Sequence, residues 1–146
     1  YGIGAGAWLG FAFGVTVLIS GDAAAFLTIN PAGTVITVLL KGTLAGLAAA
    51  VIFKALKNVN TLLAVILAGI ACPLVNTGIF LIGCRLFFYS TIQQWAAGMG
   101  IENAAVYMIT VLVGVNFIIE LLVNLVLSSA IVKIIDIGIK KNKIHA

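Results

Sequence analysis

Polar side chains recur at helical spacing inside otherwise apolar parts of this chain. Asn116, Glu120 and Asn124 stand four residues apart, so a helix places them on one face. A charge at the centre of a bilayer costs about 2.5–3.5 kcal/mol on insertion scales, so such a face turns towards protein or a wet cavity. This stripe is therefore a candidate site for binding a polar solute.

A second polar stripe leads to Lys41. Thr34 and Thr37 precede it by seven and four residues, which is again the spacing of one helical face. Lys41 and Glu120 could pair with each other, bind a ligand, or do both. Lys41 or Arg85 would suit a carboxylate, while the amides of Asn76 and Asn116 can each donate and accept hydrogen bonds.

A third set of polar residues follows a proline in an apolar stretch. Pro73 has no N–H and clashes with the carbonyl four residues earlier, which predicts a kink just before Asn76. Broken helices with polar groups at the bend form substrate sites in membrane transporters. Arg85 falls roughly opposite Asn76 on a straight helix. Both reach one pocket only if the helix bends or the Arg85 side chain extends to the loop region.

Motifs for enzyme chemistry are missing from the sequence. There is no G-x-x-x-x-G-K-[ST], no H-E-x-x-H and no cluster of His, Cys, Asp and Glu at metal spacing. Cys72 and Cys84 lie in apolar sequence, and the single histidine, His145, stands in the tail. We expect no catalytic residue, no metal and no cofactor bound by this chain. The net charge of +4 is too scattered for a nucleic-acid surface.

Long apolar segments must position these groups. Hydrophobic residues form 63% of the 146 residues and charged residues 8%, against roughly 45–50% and about 25% in average soluble domains. Roughly 20 apolar residues cross a bilayer as a helix, and residues 58–84 carry no charge. The sequence predicts an all-α integral membrane protein, a polytopic helical bundle in one domain, 1–146. Its membrane helices are expected at about residues 1–20, 34–56, 61–88 and 104–137.

Charge and glycine patterns predict how these helices are arranged. Lys54 and Lys57 flank the short connection, and more lysines lie near the C-terminus. The positive-inside rule places both regions in the cytoplasm, and the connections 20–33 and 89–103 outside. The last segment is long enough to be tilted or broken near Gly114. The C-terminal lysines are Lys133, Lys140, Lys141 and Lys143. Glycines at every fourth position predict close helix packing; they are Gly2, Gly6, Gly10 and Gly14, with Gly42 and Gly46.

Five stretches together carry a resemblance to a known family. Gly21–Thr34 reads GDAAAFLTINPAGT, Cys72–Phe80 reads CPLVNTGIF and Asn116–Asn124 reads NFIIELLVN. Together with Leu40–Gly42 and Ala45–Gly46, they resemble the S components, the substrate-binding membrane subunits of energy-coupling factor (ECF) vitamin transporters. The pantothenate-type branch is the most similar. The resemblance spans nearly the whole chain and depends on the order and spacing of these motifs.

The resemblance implies a fold and a transport mechanism. S components have six membrane helices with both termini in the cytoplasm, so we expect four of six here, with the first two upstream. Such a subunit sits in the cell membrane and captures a vitamin outside, under loops that include the connection 20–33. It then docks on a transmembrane coupling subunit and topples, while two cytoplasmic ATPase subunits use ATP. The expected ligand contacts are Asn30, Lys41, Asn76, Arg85, Asn116 and Glu120.

Three alternatives stay open from the sequence. An S component for folate or riboflavin would need aromatic stacking partners such as Trp95. A small ion channel or secondary transporter would place Lys41 and Glu120 on an ion path. A structural membrane subunit would use the polar stripes only to join helices.

Overall fold

A computed structural model describes the backbone of residues 2–144 and the side chains of residues 2–128, 130–134 and 137. Within these residues the protein is helical and has no strand. Among the described residues, four helical runs are long and apolar enough to cross a membrane: Ile3–Ser20, Pro31–Leu56, Thr61–Phe87 and Ala104–Ile134. The predicted all-α class, with four helices long and apolar enough to span a membrane, is thereby confirmed. The side chains of Lys140, Lys141, Lys143 and His145 lie outside the described residues.

Short helices connect or begin these four runs. A π-helical segment, Met108–Val113, ends where Gly114 begins the last α-helix, which is the point at which the sequence predicts an irregularity. The α-helices are α1 (Ile3–Ser20), α2 (Ala24–Ile29), α3 (Pro31–Leu56), α4 (Thr61–Phe87), α5 (Tyr89–Gly98), α6 (Ala104–Tyr107) and α7 (Gly114–Ile144). The short helices α2 and α5 occupy the connections that sequence reasoning treated as loops.

α3 begins three residues earlier than predicted. Asn30 caps it, since the Gly33 N–H donates to Asn30 Oδ1 at 2.9 Å. Pro31 occupies the first helical turn, where its missing N–H removes no helical hydrogen bond. The Asn-Pro pair is thus a local start signal that the apolar pattern alone did not reveal.

Glycines form the seam between α1 and α3, which pack against each other in antiparallel directions. A Cβ on Gly10 would collide with the carbonyl oxygen of Gly42, and a Cβ on Gly6 would come 2.6 Å from that of Gly46. The two backbones are therefore in contact, as the four-residue spacing predicts. Gly2, at the start of the series, has nothing within 4 Å of its Cβ position.

α4 lies between α3 and α7 and runs antiparallel to both. On one face, a Cβ on Gly83 would come 2.9 Å from the Cβ of Thr37. On the other face, a Cβ on Gly69 would lie 3.7 Å from the Cβ of Asn124. These contacts fix the register of the three helices relative to one another.

α4 continues as one helix through Pro73, which is buried. The helix is therefore not interrupted at Pro73, and the kink just before Asn76 stays a prediction. Proline removes one backbone donor, and packing against helices on both sides keeps the helix continuous. The predicted meeting of Asn76 and Arg85 depended on that bend.

An aromatic cluster joins the short helices at one end of the bundle, which we call the α2/α5 end. The Phe26 ring lies 5.0 Å from the ring of Phe88 and 5.7 Å from those of Phe80 and Trp95, between ring centroids. All three pairs are edge-to-face, a favoured geometry for aromatic rings. The short loop between α3 and α4 lies at the opposite end of the bundle.

Candidate ligand-binding cavity

A cavity of about 240 Å³ lies below the α2/α5 end, between α1, α3, α4 and the first part of α7. Ligand pockets typically measure about 300–1,000 Å³, so this volume suits a small metabolite. Apolar side chains form most of the wall. Two threonines of α3 also line it. The other polar and charged side chains in the wall are Asp22, Lys41, Asn76, Thr77, Asn116 and Glu120.

Four of the six residues expected to contact a ligand line this one cavity. Lys41 comes from α3 and Asn76 from α4, while Asn116 and Glu120 come from α7. Three helices thus bring together groups that are as much as 79 positions apart in the sequence. Among these four, Asn116 is exposed and the other three are half-buried.

The other two expected residues, Asn30 and Arg85, do not line the cavity. The Asn30 side chain caps α3 through the Gly33 N–H. Arg85 is exposed, and its guanidinium carbon lies 3.8 Å from the centroid of the Tyr89 ring, a cation–π arrangement. Nine residues of continuous α-helix separate Arg85 from Asn76, so their side chains leave α4 on roughly opposite sides.

Lys41 and Glu120 share the cavity without a direct ion pair. No distance of 4.0 Å or less joins the Lys41 Nζ to a carboxylate oxygen of Glu120. The Lys41 Nζ instead lies 5.3 Å from the centroid of the Phe80 ring. Both charged groups therefore remain accessible to a third, polar partner within the cavity.

Two buried polar atoms at the cavity have no hydrogen-bond partner, Thr37 Oγ1 and Asn76 Oδ1. Leaving a buried polar group unpaired costs about 1–3 kcal/mol. The neighbouring Thr34 shows the usual solution, since its hydroxyl donates to the Asn30 carbonyl oxygen at 2.8 Å. Thr37 and Asn76 thus line the cavity with a hydrogen-bonding atom that has no partner within the protein.

At the α2/α5 end, which we call the mouth, the cavity is lined by Asp22, Ala23, Phe26 and Phe88. The Phe26 ring lines this end and packs within the aromatic cluster. Asp22 is exposed, and its Oδ2 accepts a hydrogen bond from the Ser20 hydroxyl at 2.6 Å. The mouth thus carries an acidic residue and aromatic rings, and Lys41 lines the cavity further from the α2/α5 end.

Sequence reasoning did not select several residues that line the cavity. Thr37 belongs to the Lys41 stripe, and its spacing could have included it among the candidates. Asp22 is the acidic residue of the connection between α1 and α3. An acidic residue in a connection is only a weak sign of a binding site. The position of Phe26 depends on the contact of α2 with α4 and α5, for which no local signal exists.

The π-helical segment contributes to the cavity wall on the side of α7. Leu112 and Val113 lie at its end and line the cavity, and Asn116 and Glu120 follow within two turns. π-Helical turns are rare and are frequent at functional sites. The irregular helix is therefore located where the polar groups of α7 enter the cavity.

Comparisons with protein-family models, with curated proteins and with solved structures find no match to this chain.

Proposed function

We propose that this protein is the substrate-binding S component of an ECF vitamin transporter, and that its ligand is pantothenate. The observation that carries the proposal is the cavity below the α2/α5 end. It combines the Lys41 ammonium with amides from Asn76 and Asn116 and with an unpartnered hydroxyl on Thr37. The family in this proposal comes from the sequence resemblance. The cavity is the reason to expect that the protein binds a ligand.

The chemistry of pantothenate matches the groups in the cavity. Pantothenate carries a carboxylate, two hydroxyls and an amide, linked by a short apolar framework. Lys41 suits the carboxylate, and the amides of Asn76 and Asn116 suit the hydroxyls and the amide. The small volume of about 240 Å³ favours it over folate or riboflavin, whose ring systems are larger.

Charge distribution supports an orientation with the α2/α5 end outside the cell. Lys54 lies in the last turn of α3, and Lys57 follows in the loop at the other end of the bundle. Basic residues beside membrane helices favour the cytoplasm. In this orientation the C-terminus is cytoplasmic and the cavity opens towards the external medium.

Transport would require partners, as in other S components. A transmembrane coupling subunit would receive this subunit, and two cytoplasmic ATPases would use ATP. This chain would bind the vitamin without catalysing a reaction, and the two upstream helices of the six-helix fold would complete the bundle. The C-terminal lysines would lie on the side of the ATPases.

A thermal-shift screen of the detergent-purified, full-length protein against B vitamins tests the proposal. A ligand at 100 times its dissociation constant stabilises the protein by about 2.7 kcal/mol. We expect a shift with pantothenate alone. A shift with riboflavin or folate instead would keep the S-component class and overturn the ligand. No shift, together with ion flux in liposomes without any ATPase, would favour a channel or secondary transporter.

A further inference from the structure

The helix register places the cavity's charges at different depths. The Lys41 Nζ lies 5.3 Å from the Phe80 ring centroid. Depth is measured here from the α2/α5 end. On α4, which approaches that end, Asn76 precedes Phe80 by four residues and lies roughly 6 Å deeper at 1.5 Å per residue. Asn76 thus lies deeper along α4 than Phe80, the residue beside the Lys41 ammonium.

The same counting across the next interface places Glu120. Gly69 of α4 faces Asn124 of α7, with 3.7 Å between the Cβ positions. Because the helices are antiparallel, Asn76 is level with Phe117. Glu120 follows Phe117 by three residues and lies roughly 4.5 Å deeper. From mouth to floor, the order is Asp22, then Lys41, then Asn76 and Glu120.

This order assigns a direction to the ligand. We infer that the ligand enters with its uncharged, hydrogen-bond-donating end first and keeps its carboxylate beside Lys41, nearer the mouth. The inference rests on the proposed function and adds the orientation of the substrate within the site. For pantothenate, the hydroxyl end would lie deepest.

The floor is chemically unsuited to an anion. An ionised carboxylate such as that of Glu120 accepts hydrogen bonds and donates none. The buried, unpartnered Asn76 Oδ1 is also an acceptor. Ligand hydroxyls or N–H groups satisfy both atoms, whereas a ligand carboxylate would be repelled by Glu120. Lys41 is the cationic side chain among the described residues that line the cavity, and it lies above this floor.

Pantothenate and pantothenol form a matched pair of probes, because pantothenol replaces the carboxylate by an uncharged alcohol. Hydrogen bonds to charged groups contribute about 1.5–3 kcal/mol, which corresponds to a preference of roughly 10- to 150-fold for pantothenate. Dissociation constants are measured for the wild type, Lys41→Met and Glu120→Gln. Lys54→Met, an exposed lysine at the far end of α3, is the control for loss of a positive charge.

We expect Lys41→Met to abolish the preference by weakening pantothenate alone, and Lys54→Met to leave it unchanged. Glu120→Gln should weaken both probes by a similar factor, because the two probes share the hydroxyl end that lies nearest Glu120. Melting without ligand checks folding, and Lys41→Gln replaces Lys41→Met if the latter does not fold.

The orientation is overturned if the preference survives in Lys41→Met, or if it changes more in Glu120→Gln than in Lys41→Met. In either case pantothenate still binds the wild type, and the proposed function stands. Failure of the wild type to bind pantothenate would instead contradict the proposed function itself.

Discussion

Thr37 packs directly against Gly83, where a Cβ on the glycine would lie 2.9 Å from the Cβ of the threonine. The contact buries the Thr37 hydroxyl without a partner. One turn earlier, Thr34 is equally buried, but its hydroxyl donates to the Asn30 carbonyl oxygen at 2.8 Å. These two threonines are both buried but differ in hydrogen bonding, so they can separate ligand binding from structural stability.

The first prediction uses that pair. Thr37→Val keeps the shape of the side chain and removes an unsatisfied hydroxyl, so the ligand-free melting temperature should stay the same or rise. Ligand affinity should fall about 2- to 12-fold, the value of a hydrogen bond worth about 0.5–1.5 kcal/mol. Thr34→Val loses a formed hydrogen bond and should melt at a lower temperature. Calorimetry with and without ligand measures both effects, and a lower melting temperature for ligand-free Thr37→Val would contradict this account.

The glycine seam gives a second prediction. Gly10→Ala places a methyl group against the carbonyl of Gly42 and should destabilise the fold by about 1–3 kcal/mol, a typical cost of overpacking. Gly4→Ala is the matched control, because nothing lies within 4 Å of its Cβ position. Alanine also has the higher helix propensity, so this control should melt at the same or a higher temperature. Equal melting of the two variants in detergent would show that the helices do not approach as described.

A third prediction concerns the mouth. Phe26→Ala removes three edge-to-face contacts, each worth about 0.5–1.5 kcal/mol beyond buried area, and should speed ligand dissociation about tenfold or more. Because Trp95 touches Phe26, its fluorescence should respond to ligand in a Trp8→Phe background. Phe11→Ala, an exposed ring on α1, is the control. Unchanged dissociation from Phe26→Ala would exclude a covering role for this ring.

The fourth prediction compares residues inside and outside the cavity. Asn76→Ala and Asn116→Ala should each weaken binding of the ligand about tenfold, because each removes an amide from the cavity wall. Arg85→Gln should leave the affinity unchanged, since Arg85 lies on Tyr89. Titration calorimetry of the three variants decides the matter. A tenfold loss of affinity in Arg85→Gln would show that Arg85 belongs to the binding site. Full affinity in both asparagine variants would show that Asn76 and Asn116 do not.

Periodicity in the sequence was sufficient for the membrane helices and the glycine seam, because both depend on local spacing. It also grouped Lys41 with Thr37, and Asn116 with Glu120. It missed α5, although Phe88, Ile92 and Ala96 repeat every fourth residue and are buried. The intervening polar residues of that connection concealed the pattern.

Tertiary contacts account for what the sequence could not predict. The position of Phe26 at the mouth of the cavity depends on α2 meeting α4 and α5. The missing ion pair between Lys41 and Glu120 depends on helix register, which spacing within one helix does not determine. α4 likewise continues through Pro73 with helices packed on both sides, although proline removes a backbone hydrogen bond.

The π-helical segment Met108–Val113 lets the chain hold an extra residue beside the cavity. A π-helical turn holds about one residue more than an α-helical turn, and each residue of an α-helix turns the chain by about 100°. Deleting one residue from this segment would therefore leave an ordinary α-helical turn and keep Asn116 and Glu120 near their present direction, whereas a deletion in regular helix would rotate all that follows. Relatives of this protein that bind the same ligand should tolerate the loss of one residue here more readily than in the α-helical turns around it.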